Sequence, residues 1–146
     1  MMYAAFERAL TIAKGWVREH PTSFPPVVIN ITGGNFASND MTPVVLRIAE
    51  LETQDGNALI FNCHISEREE AVVIYPGPTR TASFSKQMCQ VYDISSVLPE
   101  SVRQRALDRG CDVELATRGY ALNVDAASFV IDIAQVGRTR IARPLD

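Results

Sequence analysis

The chain is poor in the features that mark several protein classes. Its 146 residues hold only three cysteines, Cys63, Cys89 and Cys111. They are widely spaced and odd in number, which offers neither a disulfide framework nor a metal-knuckle pattern. A reducing cytoplasm is the simplest setting for such a chain. No apolar run approaches the length of a membrane span. Glu7 and Arg8 interrupt any apolar stretch of a secretory leader, and Lys14 and Arg18 follow. A surplus of positive charge is missing too, since 14 Lys and Arg stand against 17 Asp and Glu. Nucleic acid and anionic membrane surfaces reward a basic stripe, so neither is expected as a partner. The one basic cluster, Arg138, Arg140 and Arg143, has Asp132 and Asp146 nearby and reads as a solvated polar tail over 137–146.

What is present is enough for one globular domain. Apolar residues make up 47% of the chain and charged residues 21%, so a sizeable core is within reach. Phe6, Leu10, Ala13 and Val17 recur at helical spacing, and Pro21 with Pro25-Pro26 stops that helix near His20. Val27 to Ile31 is a short β-branched apolar run, the pattern of a strand buried on both faces of a parallel sheet. It breaks at Thr32-Gly33-Gly34-Asn35. Ser38, Asn39 and Asp40 are N-cap candidates for a helix over 42–53, which Asp55-Gly56 closes with turn chemistry. Ala58 to Ile65 and Ala71 to Tyr75 read as further strands, the second stopped by Pro76-Gly77-Pro78.

From Ser83 the spacing of Phe84, Met88, Val91 and Tyr92 is helical. Pro99-Glu100-Ser101 opens another helix with Val102, Ala106 and Leu107, ending at Gly110. Residues 114–125 are ambiguous. Residues 126–136 fit a helix or a strand, because Phe129, Ile131 and Ile133 alternate. The alternation of strands and helices predicts an α/β domain with mainly parallel strands flanked by helices.

Four strings carry a resemblance to a known family. Residues 24–35 read Phe-Pro-Pro-Val-Val-Ile-Asn-Ile-Thr-Gly-Gly-Asn, and residues 55–66 read Asp-Gly-Asn-Ala-Leu-Ile-Phe-Asn-Cys-His-Ile-Ser. Ser95-Ser-Val-Leu-Pro99 and Thr117-Arg-Gly-Tyr-Ala-Leu-Asn-Val-Asp125 follow. In order and spacing they resemble the C-terminal part of a bacterial intracellular von Willebrand factor A (vWA) domain. The resemblance implies a truncated vWA/Rossmann-like doubly wound sheet over 1–136, with ligands at the carboxyl ends of the strands. Intact members hold Mg or Mn there through an Asp-x-Ser-x-Ser motif, a Thr and a later Asp. Here the first two would lie upstream of Met1, and Gly33 stands where the later Asp belongs. No metal, no cofactor and no enzymatic activity are therefore expected.

What the resemblance then leaves is a cytoplasmic protein-interaction or assembly module. Without the family's first strand, residues 27–31 would present an open edge, to be covered by self-association or by a protein partner, or alternatively by the first helix or the C-terminal segment folding across it. The loop and strand ends holding Thr32, Gly33, Gly34, Asn35, Asn39, Asp40, His64 and Ser66 are the candidate ligand or partner site. An alternative function is small-ligand or nucleotide binding by the Gly33–Asp40 loop. That loop follows a strand and precedes a helix, where phosphates bind, but it lacks a full phosphate-binding pattern. The simpler reading of the Gly pair is a loop that needs positive φ, and that of Asn39 and Asp40 is helix capping.

Cys63 and His64 are neighbours on a strand, so they point to opposite faces and cannot form a nucleophile–base pair. His64 reads as a structural hydrogen-bonding group at the strand exit. Arg118 reads as a turn anchor or a partner of Asp125 or Asp132. Trp16 lies off the Phe6–Val17 stripe, as a contact residue or tucked under Pro25-Pro26.

Overall fold

The computed structural model describes residues 2–33, 40–67 and 71–135. The tail at 137–146 and the loop residues Gly34, Asn35 and Asn39 lie outside them. Five α-helices are described: α1 (Met2–Glu19), α2 (Thr42–Ala49), α3 (Lys86–Asp93), α4 (Glu100–Asp108) and α5 (Ala126–Ala134). The strands are β1 (Val27–Gly33), β2 (Glu52–Thr53), β3 (Gly56–Asn57), β4 (Leu59–Ile65), β5 (Val73–Ile74) and β6 (Tyr120–Leu122).

Four strands form one sheet in the order β1-β4-β6-β5. β1, β4 and β6 run parallel, and β5 closes the far edge antiparallel to β6. Alternate residues of β4 face different helices, as strand geometry requires. Phe61 and Cys63 pack with Val102 and Ala106 of α4 and Phe129 and Ile133 of α5. Ile60 packs with Phe6 and Leu10 of α1 and with Val44, Val45 and Ile48 of α2. Tyr120 and Leu122 pack on α3 through Met88, Val91 and Tyr92. The result is a mixed α/β layering, a mainly parallel sheet flanked by helices.

Several expectations are corrected. β1 is half-buried instead of fully buried, because it is an edge strand, and Ile31 is 48% exposed. α2 ends at Ala49, four residues short of the expected boundary. Glu52–Thr53 instead pairs with Gly56–Asn57 in a small hairpin, whose turn needs Gly56 at φ 126. The strand expected over 71–75 is two residues long. Residues 126–134 are helical. The Asp125 carboxylate accepts from Ser128 N at 2.9 Å and caps the first turn. Phe129 and Ile133 are then buried four residues apart, while Ile131 points outward.

Candidate functional site

α2 links the exit of β1 to the entry of β4, so its N-terminus sits at the carboxyl end of the sheet, as parallel crossovers demand. The pairing register sets Thr32 beside His64 and Gly33 beside Ile65. Ser66 joins them through β6. Its amide donates to Asn123 Oδ1 at 2.7 Å, and the Asn123 amide donates to the His64 carbonyl at 2.8 Å. Asn123 holds φ 54, a left-handed conformation that Asn tolerates better than most residues. Thr32, Gly33, His64 and Ser66 thus share one end of the sheet.

His64 is 3% exposed, with Nδ1 3.0 Å from the Tyr120 hydroxyl. That contact ties β4 to β6. Cys63 lies on the opposite face in the α4–α5 core, where burial, followed by the charge of Asp125, pushes its thiol up. The two neighbours do not meet. Gly33 shows no positive φ, and a Cβ there would sit 3.6 Å from the Ile65 carbonyl. For Gly33 the expected need for positive φ is therefore corrected: it is the last residue of an extended strand.

Asp40 is exposed, and its Oδ1 accepts from Thr42 N at 2.9 Å. Bonds from Thr42, first the side chain and then the backbone, hold its carboxyl below the ordinary carboxylate range. The expected cap is corrected: Met41 is the N-cap and makes no side-chain cap bond, while the Asp40 carboxylate sits one residue before it, bonded to Thr42 at the N-terminus of α2, where a phosphate would compete with it. Among the described residues no group of three or more His, Cys, Asp or Glu could hold a metal ion. No described helix is long and apolar enough to cross a membrane.

A polar ladder crosses the sheet beside this end. Asn30 Nδ2 donates to Asn62 Oδ1 at 2.8 Å, Asn62 Nδ2 to Ser95 Oγ at 2.8 Å, and Ser95 Oγ to the Val91 carbonyl at 2.8 Å. Ser96 Oγ and N engage the backbone of Ile60. Asn62 is fully buried and Ser95 is 2% exposed, so the ladder pins β1, β4 and the end of α3 in register. Sequence reasoning passed over it, although each Asn is the fourth residue of an apolar run (Val-Val-Ile-Asn, Leu-Ile-Phe-Asn). Arg118 does anchor a turn, but on different partners. Its Nη1 donates to the Ser95 carbonyl at 2.7 Å, and its guanidinium lies 5.8 Å from the Tyr92 ring centre. Asp132 pairs with Arg109 instead.

No family model, curated protein or solved structure matches the chain. The vWA resemblance therefore rests on the four strings alone.

The remaining surface of interest is the outer side of β1. Leu59 N donates to the Pro26 carbonyl. In a parallel ladder each residue turns both backbone groups to one side and its neighbour turns them to the other. Val28, Asn30 and Thr32 therefore face β4, while Val27, Ile29, Ile31 and Gly33 present N–H and C=O outward. Among the described residues no strand pairs with that side. Ile31 (48% exposed) and Ile65 (44% exposed) lie diagonally next to each other on the same face. Trp16 is also exposed at 44%, its ring centre 3.9 Å from that of His20 at a tilt of 37°.

Proposed function

We propose that the chain is a cytoplasmic protein-interaction or assembly module of vWA type with a degenerate metal-ion-dependent adhesion site. The observation that carries this reading is the open edge of β1. Seven residues of backbone stand there beside the exposed pair Ile31 and Ile65. An edge of this length selects an extended strand, because only a strand can satisfy a whole row of N–H and C=O groups. The mainly parallel order β1-β4-β6 is compatible with a doubly wound sheet, while the vWA assignment itself rests on the four sequence strings. Gly33 supplies no carboxylate where intact members have their later metal Asp, which supports degeneracy. The carboxylate of Asp40, bonded to Thr42 at the N-terminus of α2, disfavours the nucleotide alternative.

The partner is another polypeptide, first of all a second copy. Light scattering across a concentration series tests this, joined to amide hydrogen exchange at Ile29 and Ile31. The expected result is a species larger than the monomer at high concentration, with both amides protected. Ile31→Pro removes one outward donor at a position where the side chain is half-exposed, and should return the chain to monomer. A wild-type chain that stays monomeric throughout, with both amides exchanging freely, refutes the reading.

A further inference from the structure

A cavity of about 80 Å³ opens at the opposite end of the sheet, between β5, α4 and α5. The Tyr75 amide, just past β5, donates to the carbonyl of Tyr120 at the start of β6, which places the cavity by the amino ends of the parallel strands. Val102 and its apolar neighbours line one side. The polar lining is Tyr75, Arg105, Arg109, Cys111 and Asp132.

Tyr75 is 6% exposed, and among the described residues its hydroxyl has no hydrogen-bond partner. Burial, then the charges of Asp132 and Cys111, push the phenol up to about 12, so near neutral pH it keeps its proton and donates. Tyr75 lines the cavity together with Asp132, Cys111, Arg105 and Arg109. Two guanidinium groups face one carboxylate, leaving one uncompensated positive charge. Arg109 Nη1 meets Asp132 Oδ1 at 2.6 Å, and Arg105 Nη2 donates to the Asp132 carbonyl and to Gln135 Oε1, each at 3.3 Å. Each guanidinium carries five N–H donors, so neither is exhausted by these contacts.

We propose that this cavity binds a small monocarboxylate with a short aliphatic tail. The charge balance selects one negative charge. A guanidinium fork matches a planar carboxylate, and the Tyr75 hydroxyl gives it a further donor. The Val102 side takes the tail, which a phosphate would leave unfilled. The volume admits about five water-sized groups, so the ligand is a few carbons long.

Iodoacetate supplies a built-in probe, being itself a small monocarboxylate. The Cys111 sulfur displaces iodide as the S–C bond forms, and the thiol proton passes to solvent. Peptide mapping follows alkylation of Cys111 and, as internal reference, of the half-buried Cys89. The preference for iodoacetate over neutral iodoacetamide should be several-fold greater at Cys111 than at Cys89. Butyrate should slow the reaction at Cys111 alone, and inorganic phosphate at matched ionic strength should not. In unlabelled protein, butyrate should raise the melting temperature. Tyr75→Phe and Arg109→Gln should each remove both effects. Tyr75→Phe deletes one oxygen and keeps the packing, so it decides the matter if Arg109→Gln does not fold. Equal reagent preference at the two cysteines with no butyrate effect overturns the proposal. So does an effect of butyrate that both variants keep.

Discussion

Gly119→Ala sets two known effects against each other. Replacing Gly by Ala where no positive φ is required stabilises by about 0.4–1 kcal/mol, because the unfolded chain loses freedom. Gly119 shows no positive φ, so that gain applies. The added Cβ, however, would lie 2.6 Å from Cδ1 and 3.0 Å from Cε1 of Phe61. Phe61 is fully buried and meets Phe129 edge-on at 6.5 Å. The backbone cannot yield easily either. Gly119 N donates to the Ser96 carbonyl at 2.7 Å, and its own carbonyl accepts from Asn62 N at 2.8 Å. The ring must therefore move within a packed core, at about 1–3 kcal/mol. The clash wins, with a net loss of roughly 1–2 kcal/mol, which lowers Tm by about 3–8 °C for a chain of this size. Urea denaturation should show a lower midpoint with an unchanged slope. Phe61→Leu should partly rescue Gly119→Ala, so that the double variant loses less than the sum of the two singles. A Gly119→Ala chain as stable as wild type would refute this account of the core.

Other outcomes follow from the polar groups. Asn62→Leu strands the Asn30 amide and one Ser95 contact, and should cost about 1–3 kcal/mol by denaturant titration. It should also loosen the β1–β4 pairing seen in hydrogen exchange. Bonds from Ser128 hold the Asp125 carboxyl below 3.8, its ordinary value. Its contribution is thus present above that value and lost as pH falls through the lower folded value, and Asp125→Asn should flatten the acid limb of the stability curve while still capping α5. Tyr75 works in the other direction. Its folded pKa, raised to about 12 from 10.0, stabilises fully below pH 10 and loses that effect as pH rises towards 12. Tyr75→Phe should remove this part of the alkaline decline.

Much of the fold could be read from local pattern. The stripe of Phe6, Leu10 and Ala13 placed α1, and the nearly continuous apolar runs placed β1 and β4. The failures share a cause. β5, expected over 71–75, is only two residues long, and the three-residue β6 is too short for a periodic signal; both exist because the Tyr120 carbonyl and neighbouring backbone are there to pair with. Phe129, Ile131 and Ile133 suggested a strand until the Asp125 cap and the flanking core selected a helix. The Asn30–Asn62–Ser95 ladder is invisible along the chain, since it depends on cross-strand register and on where α3 ends. At the candidate site, topology brought Thr32, Gly33, His64 and Ser66 to one sheet end as the strand–loop–helix pattern implied. The partners that hold them, Tyr120 and Asn123, came from the stretch whose sequence was ambiguous. The α4–α5 cavity had no linear signature at all, because its polar groups come from three separate elements.

The two borders of the main sheet differ, and under the proposed edge association that difference would set the stoichiometry. On the β5 side the last strand has only two residues, and Pro76-Gly77-Pro78 follows, with two residues that lack a backbone donor. Among the described residues, strand addition as proposed would therefore be confined to the β1 side. Two copies that join there use up the surface that joined them, and the pair has no matching border left to recruit a third. If copies join through the proposed β1 edge, that contact ends an assembly rather than propagating it, which separates a finite, closed complex from a fibre.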